Sequence, residues 1–193
     1  MTTLEVHNIT IYQTIDSPDL WMTYSFAPEW LADAKAEAEK PENHHSARRR
    51  EIIFSVAFAE SYLVEWVRDE ILQRDFQKFF ELFPTSAKFS AKEKWKEIPK
   101  ILCQDGLLKG TPSLKNTFWV NWCILVNYRD GLIHAVSSRP SGTSVPEEAA
   151  LLPSVDKLAA LKPGWAVNIA LELVSNFHMA AETKLPEWLK TNA

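Results

Sequence analysis

"WCILVNYRDGLIHAVSSRPSG" (residues 122–142) begins as a buried helix and ends as a loop. Phe118, Trp122, Leu125, Arg129, Leu132 and Val136 follow one another at steps of 4, 3, 4, 3 and 4. That is the spacing of a helix face turned toward a core. One member of the face is an arginine. His134 comes five residues after it, followed by Ser137, Ser138 and Arg139. Residues 137–148 hold two prolines, a glycine and several hydroxyls, which mark the clearest loop in the chain. The helix is expected to end near Ala135.

The flanking sequence repeats the same period. Over residues 46–80, the longest expected helix, Ile53, Val56, Glu60, Val64, Val67 and Ile71 step by 3, 4, 4, 3 and 4. An acid stands in this stripe as Arg129 stands in the other. After Pro84, Ser90 and Glu93 form a capping-box pattern ahead of "KWKEIPKILCQDGLL". Pro99 is expected to bend or break that helix. Gly106 and Gly110 mark its end region, and Ser113 is the expected N-cap of the helix that carries Arg129. A short helix is expected near 154–161. A last long one follows in "PGWAVNIALELVSNFHMAAETKL", with Trp165, Ile169, Leu173 and Phe177 spaced by four, and Pro186 starts a final turn, "EWLK".

At the other end, residues 4–15 are rich in β-branched side chains and read as a short strand or extended arm. Pro28 is placed to start a helix through "EWLADAKAEAEK", which Pro41 and Asn43 interrupt. The expected architecture is all-α: an up-and-down helical bundle over residues 45–193, preceded by an arm and short helix over 1–44.

Bulk properties agree with one soluble globular unit. A chain of 193 residues supports one good core and would cramp two. Only five glycines beside many Ala, Leu, Glu and Lys favour helices over a turn-rich sandwich. The net charge of −4 excludes a global field drawing the chain to nucleic acid or membrane, so any RNA contact must be local. No apolar run approaches the ~20 residues of a membrane span. "MTTLEVHNIT" lacks the features of a secretory signal. Cys103 and Cys123 have no framework spacing and read as reduced thiols of a cytoplasmic protein.

An unpaired buried charge is expensive, and its usual remedy is a partner. Glu60 and Arg129 are therefore expected to meet, the alternative being that both snorkel outward. Arg129 and His134 point about 140° apart on a straight helix, whereas Asp130 and His134 share a face. Asp130 is thus placed to orient the imidazole. "ENHHSARRR" reads as a solvated helix start or a basic RNA-contacting edge, and its adjacent histidines make a poor metal pair. "AKEKWKEIPK" reads as an exposed face of mixed sign, and His178 as a satisfied core histidine. Walker and Gly-rich dinucleotide motifs are absent from the sequence, and no metal or cofactor is expected.

"RDGLIH" has an arginine, four residues and a histidine, with a polar residue directly after the arginine. It closes the third major helix, downstream of a helix with an embedded glutamate, "VAFAESYLVEWV". Over residues 45–185 this pattern resembles the HEPN superfamily (higher eukaryotes and prokaryotes nucleotide-binding domains). The resemblance implies a helical bundle that dimerises to bring two motif copies into one cleft. It further implies a metal-independent endoribonuclease of toxin or antiviral defence systems, with RNA as substrate and an antitoxin or other defence protein as partner. On this resemblance Arg129 and His134 are the catalytic pair, Asp130 the polar companion and Glu60 the supporting acid. Tyr128, Ser137, Ser138 and Arg139 flank the motif and are the candidate substrate-binding residues. Members neutralised by a nucleotidyltransferase carry a tyrosine two residues beyond the histidine, where this chain has Val136. Some members are inactive, so the alternative is a non-catalytic module binding RNA, a nucleotide or a partner protein. A structural helical bundle with a buried ion pair and no ligand is a third reading.

Overall fold

A computed structural model of the chain describes residues 2–6, 9–13, 20–41, 44–74, 88–134, 158 and 160–190, and among these the side chains of 2–24, 71–74 and 134 lie outside the description. Three short strands lead: β1 (Thr2–Val6), β2 (Ile9–Gln13) and β3 (Leu20–Tyr24). They pair antiparallel in sequence order, with Leu4 opposite Ile11 and Ile11 opposite Met22. The short strand or extended arm expected over residues 4–15 is thus parts of two strands, and "LWMTY" adds a third.

Six helices follow among the described residues: α1 (Ala27–Ala38), α2 (His45–Arg74), α3 (Ala91–Gln104), α4 (Thr117–His134), α5 (Trp165–Ala181) and α6 (Glu187–Lys190). Helix α2 touches α1, α3, α4 and α5, and α5 also packs on α4 and α1. The chain is a helical bundle around α2. Ala27, Leu31 and Ala34 of α1 enter the same core as the later helices, so the helix ahead of residue 45 shares the bundle's interior. No described helix is long and apolar enough to cross a membrane.

Packing against four neighbours turns α2 away from the expected phase. Its buried line runs through Ile52, Val56, Ala59, Leu63 and Val67, with Ser55, Phe58 and Tyr62 beside it. Ile53, Glu60 and Val64 are half-buried, at the margin of that face and not along its middle. Val56 and Val67 belong to both lines, so the shift is roughly 60° of rotation; the side chain of Ile71 lies outside the described residues. In α4 the first part of the expected face holds: Phe118, Trp122 and Leu125 are buried, joined by Val126, while Leu132 is half-buried and Val136 lies outside the described residues. In α5, Ile169, Leu173 and Phe177 are buried as their spacing required.

Helix ends follow local chemistry in some places and distant side chains in others. Ser90 Oγ accepts from the Glu93 amide, and Glu93 accepts from the Ser90 amide at 2.8 Å, completing the capping box of α3. That helix passes Pro99 without the expected break and reaches Gln104, with Pro99 buried in the core contact. It then closes through Gly106, whose φ of +72° puts it in the left-handed region that suits glycine. Ser113 does not cap α4. Its hydroxyl accepts from the Lys115 amide in a turn, and Asn116 stands at the boundary, its carbonyl accepting from Trp119 and Val120. Helix α1 carries Pro28 in its first turn and has no side-chain cap of its own. The Glu65 carboxylate of α2 serves instead, accepting from the amides of Phe26 at 2.7 Å and Ala27 at 3.3 Å. Burial raises the pKa of Glu65, and these two amides oppose the rise.

The start of α5 is capped the same way, by a buried ion pair. Arg48 and Glu51 lie one turn apart on α2, with side chains 1% and 2% exposed, and form a direct salt bridge. Arg48 also donates to the carbonyls of Glu37 at 2.7 Å and Lys40 at 3.0 Å, closing the end of α1. Glu51 accepts from the Ala166 amide at 3.0 Å, in the first turn of α5, next to Gly164 at φ +81°. Burial pushes the Glu51 carboxyl upward, against the Arg48 charge and the amides of Ala166, Gly164 and Val167. The basic run "ARRR" is therefore neither a solvated start nor a basic edge throughout. Arg48 is internal, Arg50 grips Glu37 at 2.9 and 3.0 Å, and Arg49 alone of the three is exposed. Glu37 is held down to about 2 by its hydrogen bond from Arg50, helped by Lys40 against burial.

Candidate functional site

Glu60 and Arg129 meet. Arg129 reaches Glu60 Oε2 through Nη2 at 3.4 Å, joining α2 to the last turns of α4. Their side chains are 20% and 21% exposed, so the pair lies at the rim of the core, open to solvent on one side. This position follows from the rotation of α2, which carries Glu60 to the edge of its buried face. Arg129 stays in the α4 stripe, one turn beyond Leu125.

A third charge completes the group. Lys94, in the first turns of α3, holds Glu60 Oε1 at 2.9 Å and is itself 20% exposed. Glu60 is bracketed, one oxygen to each cation. Next to it, Asp130 Oδ1 lies 2.9 Å from Arg129 Nε. That is ion-pair distance, but the alignment does not complete a hydrogen bond, and the buried Nε–H has no acceptor. Lys92 donates to Asn127 Oδ1, one turn along α4 from Cys123. Lys94 and Arg129 thus stand against Glu60 and Asp130 where α2, α3 and α4 join.

The Asp130 carboxylate lies against Arg129, the neighbour that precedes it. His134 closes α4, but its side chain lies outside the described residues, as do Ser137, Ser138 and Arg139. Tyr128 is half-buried, with its ring 5.7 Å from that of Trp165 at the start of α5, so it ties α4 to α5. Lys94 was not legible as a partner, because "AKEKWKEIPK" reads as an exposed face. The signal was present in its phase. Ala91, Lys94, Ile98 and Ile101 step by 3, 4 and 3, which places Lys94 at the margin of the buried stripe.

A histidine lies in the core, away from this junction. His178 is buried among the rings of Tyr62, Trp66 and Phe177. Its Nε2 is bonded to Tyr62 Oη and its Nδ1 to Thr183 Oγ1 at 2.8 Å, so both nitrogens are satisfied, as expected of a core histidine. Burial lowers its pKa to about 4 and raises that of Tyr62. Cys103 and Cys123 are free thiols, both half-buried, and burial pushes the Cys123 thiol up, which makes it a poor nucleophile.

Comparison with protein-family models, curated proteins and solved structures finds no match for this chain.

Proposed function

We propose that this protein is a metal-independent endoribonuclease of the HEPN type, acting as a homodimer in toxin or antiviral defence. The observation that supports it best is the contact of Glu60 with Arg129, which joins the embedded glutamate of one helix to the Arg-x4-His motif closing another. RNA supplies its own nucleophile. The 2′-oxygen attacks the adjacent phosphorus, the bond to the 5′-oxygen breaks, and a 2′,3′-cyclic phosphate is left. A histidine near its ordinary pKa of about 6.5 can take the 2′ proton or protonate the leaving 5′-oxygen. An arginine fork binds the phosphate oxygens as charge builds on them. In this reading His134 moves the proton, Arg129 holds the phosphate, Glu60 and Asp130 hold Arg129, and Tyr128, Ser137, Ser138 and Arg139 flank the RNA.

A straight α4 aims Arg129 and His134 about 140° apart. A two-fold axis beside the motif would bring the second protomer's copies to the same phosphate without bending either helix. Val120 and Ile124 are exposed one turn apart on α4, which supports a partner surface there. Purified protein incubated with mixed RNA in excess chelator should release 2′,3′-cyclic ends, and Arg129→Ala or His134→Ala should abolish this. Mixing the two variants should restore part of the activity. Absence of cleavage, or cleavage unchanged in His134→Ala, would overturn the assignment. The net charge of −4 favours a second reading, a non-catalytic module; RNA binding without cleavage would select it.

A further inference from the structure

We infer that Lys94 is a positioning residue that keeps the guanidinium of Arg129 available to a phosphate by occupying one oxygen of Glu60. The inference rests on the endoribonuclease reading and concerns a residue outside the Arg-x4-His motif, on a different helix.

Arginine and a carboxylate with both oxygens free close into a bidentate pair, two parallel N–H···O bonds that use up one edge of the fork. Here the pair is not closed. Glu60 Oε1 is held by Lys94 at 2.9 Å, and only Oε2 faces Arg129, at 3.4 Å through a single nitrogen. On the other side Asp130 lies 2.9 Å from Arg129 Nε without an aligned hydrogen bond. Arg129 is therefore held in place by charge from two sides and saturated by neither. A phosphate, with oxygens matched to the same fork, meets a guanidinium already oriented and with donor capacity to spare. The three side chains are equally exposed, about a fifth each, so a ligand at the rim reaches the group without opening the core.

Loss of Lys94 frees Oε1. Glu60 then has both oxygens for Arg129, and the closed pair competes with substrate for the same nitrogens. Lys94→Gln should raise KM, and raise the Kd for a labelled single-stranded RNA in a His134→Ala background, by about tenfold, while kcat changes less than threefold. Adding Glu60→Gln to Lys94→Gln removes the competing charge and should recover most of the lost affinity. Lys96→Gln, a loss of the same charge from an exposed position of α3, is the control and should shift Kd less than twofold. An unchanged Kd in Lys94→Gln overturns the inference. So does a loss that Glu60→Gln does not relieve, or one that Lys96→Gln reproduces, since either would make Lys94 only a source of positive charge. If the unaltered chain neither binds nor cleaves RNA, the endoribonuclease reading itself fails. If it cleaves and needs Arg129 but is indifferent to Lys94, that reading stands and the positioning role is gone.

Discussion

Replacing Arg48 by methionine tests whether the buried pair organises the bundle. The guanidinium is 1% exposed and makes three contacts, to Glu51 and to the carbonyls of Glu37 and Lys40. Methionine fills most of the volume, so the perturbation is mainly electrical. It strands the Glu51 carboxylate, 2% exposed, with the amides at the start of α5 as its remaining support. Breaking a buried pair from one side costs about 3–5 kcal/mol. In a domain of this length that lowers the melting temperature by roughly 6–20 °C. Glu51→Gln added to Arg48→Met removes the stranded charge while keeping an acceptor for Ala166, and should return at least ~1 kcal/mol. The pH dependence has a definite sign. The folded pKa of Glu51 is already raised above 4.5 by burial, and loss of Arg48 raises it further. Such an acid costs nothing below its unfolded value and progressively more as pH rises through its folded one. The deficit of Arg48→Met against the unaltered chain should therefore narrow as pH falls toward 4.5. Thermal and urea unfolding at several pH values measure all three effects. An Arg48→Met chain within ~1 kcal/mol of the original, or a double variant no better than the single, would refute the reasoning.

Other parts of the structure give shorter tests. His178 has a folded pKa lowered from 6.5 to about 4, so its neutral form stabilises the fold fully above pH 6.5, and about 3 kcal/mol is lost as pH falls from there through 4. Urea midpoints at pH 7 and pH 4 read this, and His178→Asn should remove that part of the slope. Gly110 faces the Ala180 carbonyl so closely that an added Cβ would lie 2.6 Å from its oxygen. Gly110→Ala should destabilise by about 1–3 kcal/mol, measured by equilibrium unfolding. Arg129→Ala should cost only ~1–2 kcal/mol, less than Arg48→Met, because Glu60 is one-fifth exposed and keeps Lys94. A larger loss than that of Arg48→Met would show that the Glu60 junction, not the Arg48 pair, is the one on which the fold depends.

The fold was legible wherever one helix meets the core with one face. Helices α4 and α5 keep their stripes, with Phe118, Trp122 and Leu125 buried on one and Ile169, Leu173 and Phe177 on the other, and the α3 capping box lies entirely within four residues. Helix α2 was legible in extent and misread in phase. It is covered by α1, α3, α4 and α5, so apolar side chains occur over more than half its circumference and no single stripe dominates. Ile53 and Val64 then mimic a face that belongs to Ile52, Ala59 and Leu63. Pro99 does not break α3 for a related reason: tertiary packing holds the helix together across it, with Pro99 itself buried. The remote caps, Glu65 on α1 and Glu51 on α5, lie 38 and 115 residues from the amides they serve, beyond any local pattern.

Two of the ion pairs of α2, Arg48–Glu51 and Glu60–Arg129, show what separates a legible charge from a hidden one. Glu60 stood out because it interrupted an apparent apolar stripe, and a stripe interrupted again by Arg129 on a second helix suggested the match. Arg48 stood in a run of three arginines, the setting in which a charge looks solvated. Extending the true buried line of α2 backward, however, from Leu63 through Ala59, Val56 and Ile52, lands on Arg48 one turn earlier. The phase of the whole helix, not the composition of its first turn, decides which arginine is internal. The same logic divides their roles. Arg48 has two backbone carbonyls and a carboxylate, lies at the meeting of α1, α2 and α5, and has no solvent on any side. Such a group holds helices together. Arg129 has one shared carboxylate at 3.4 Å and an open rim. A charge kept at the surface in that condition retains the capacity to bind an anion that the buried pair has spent internally.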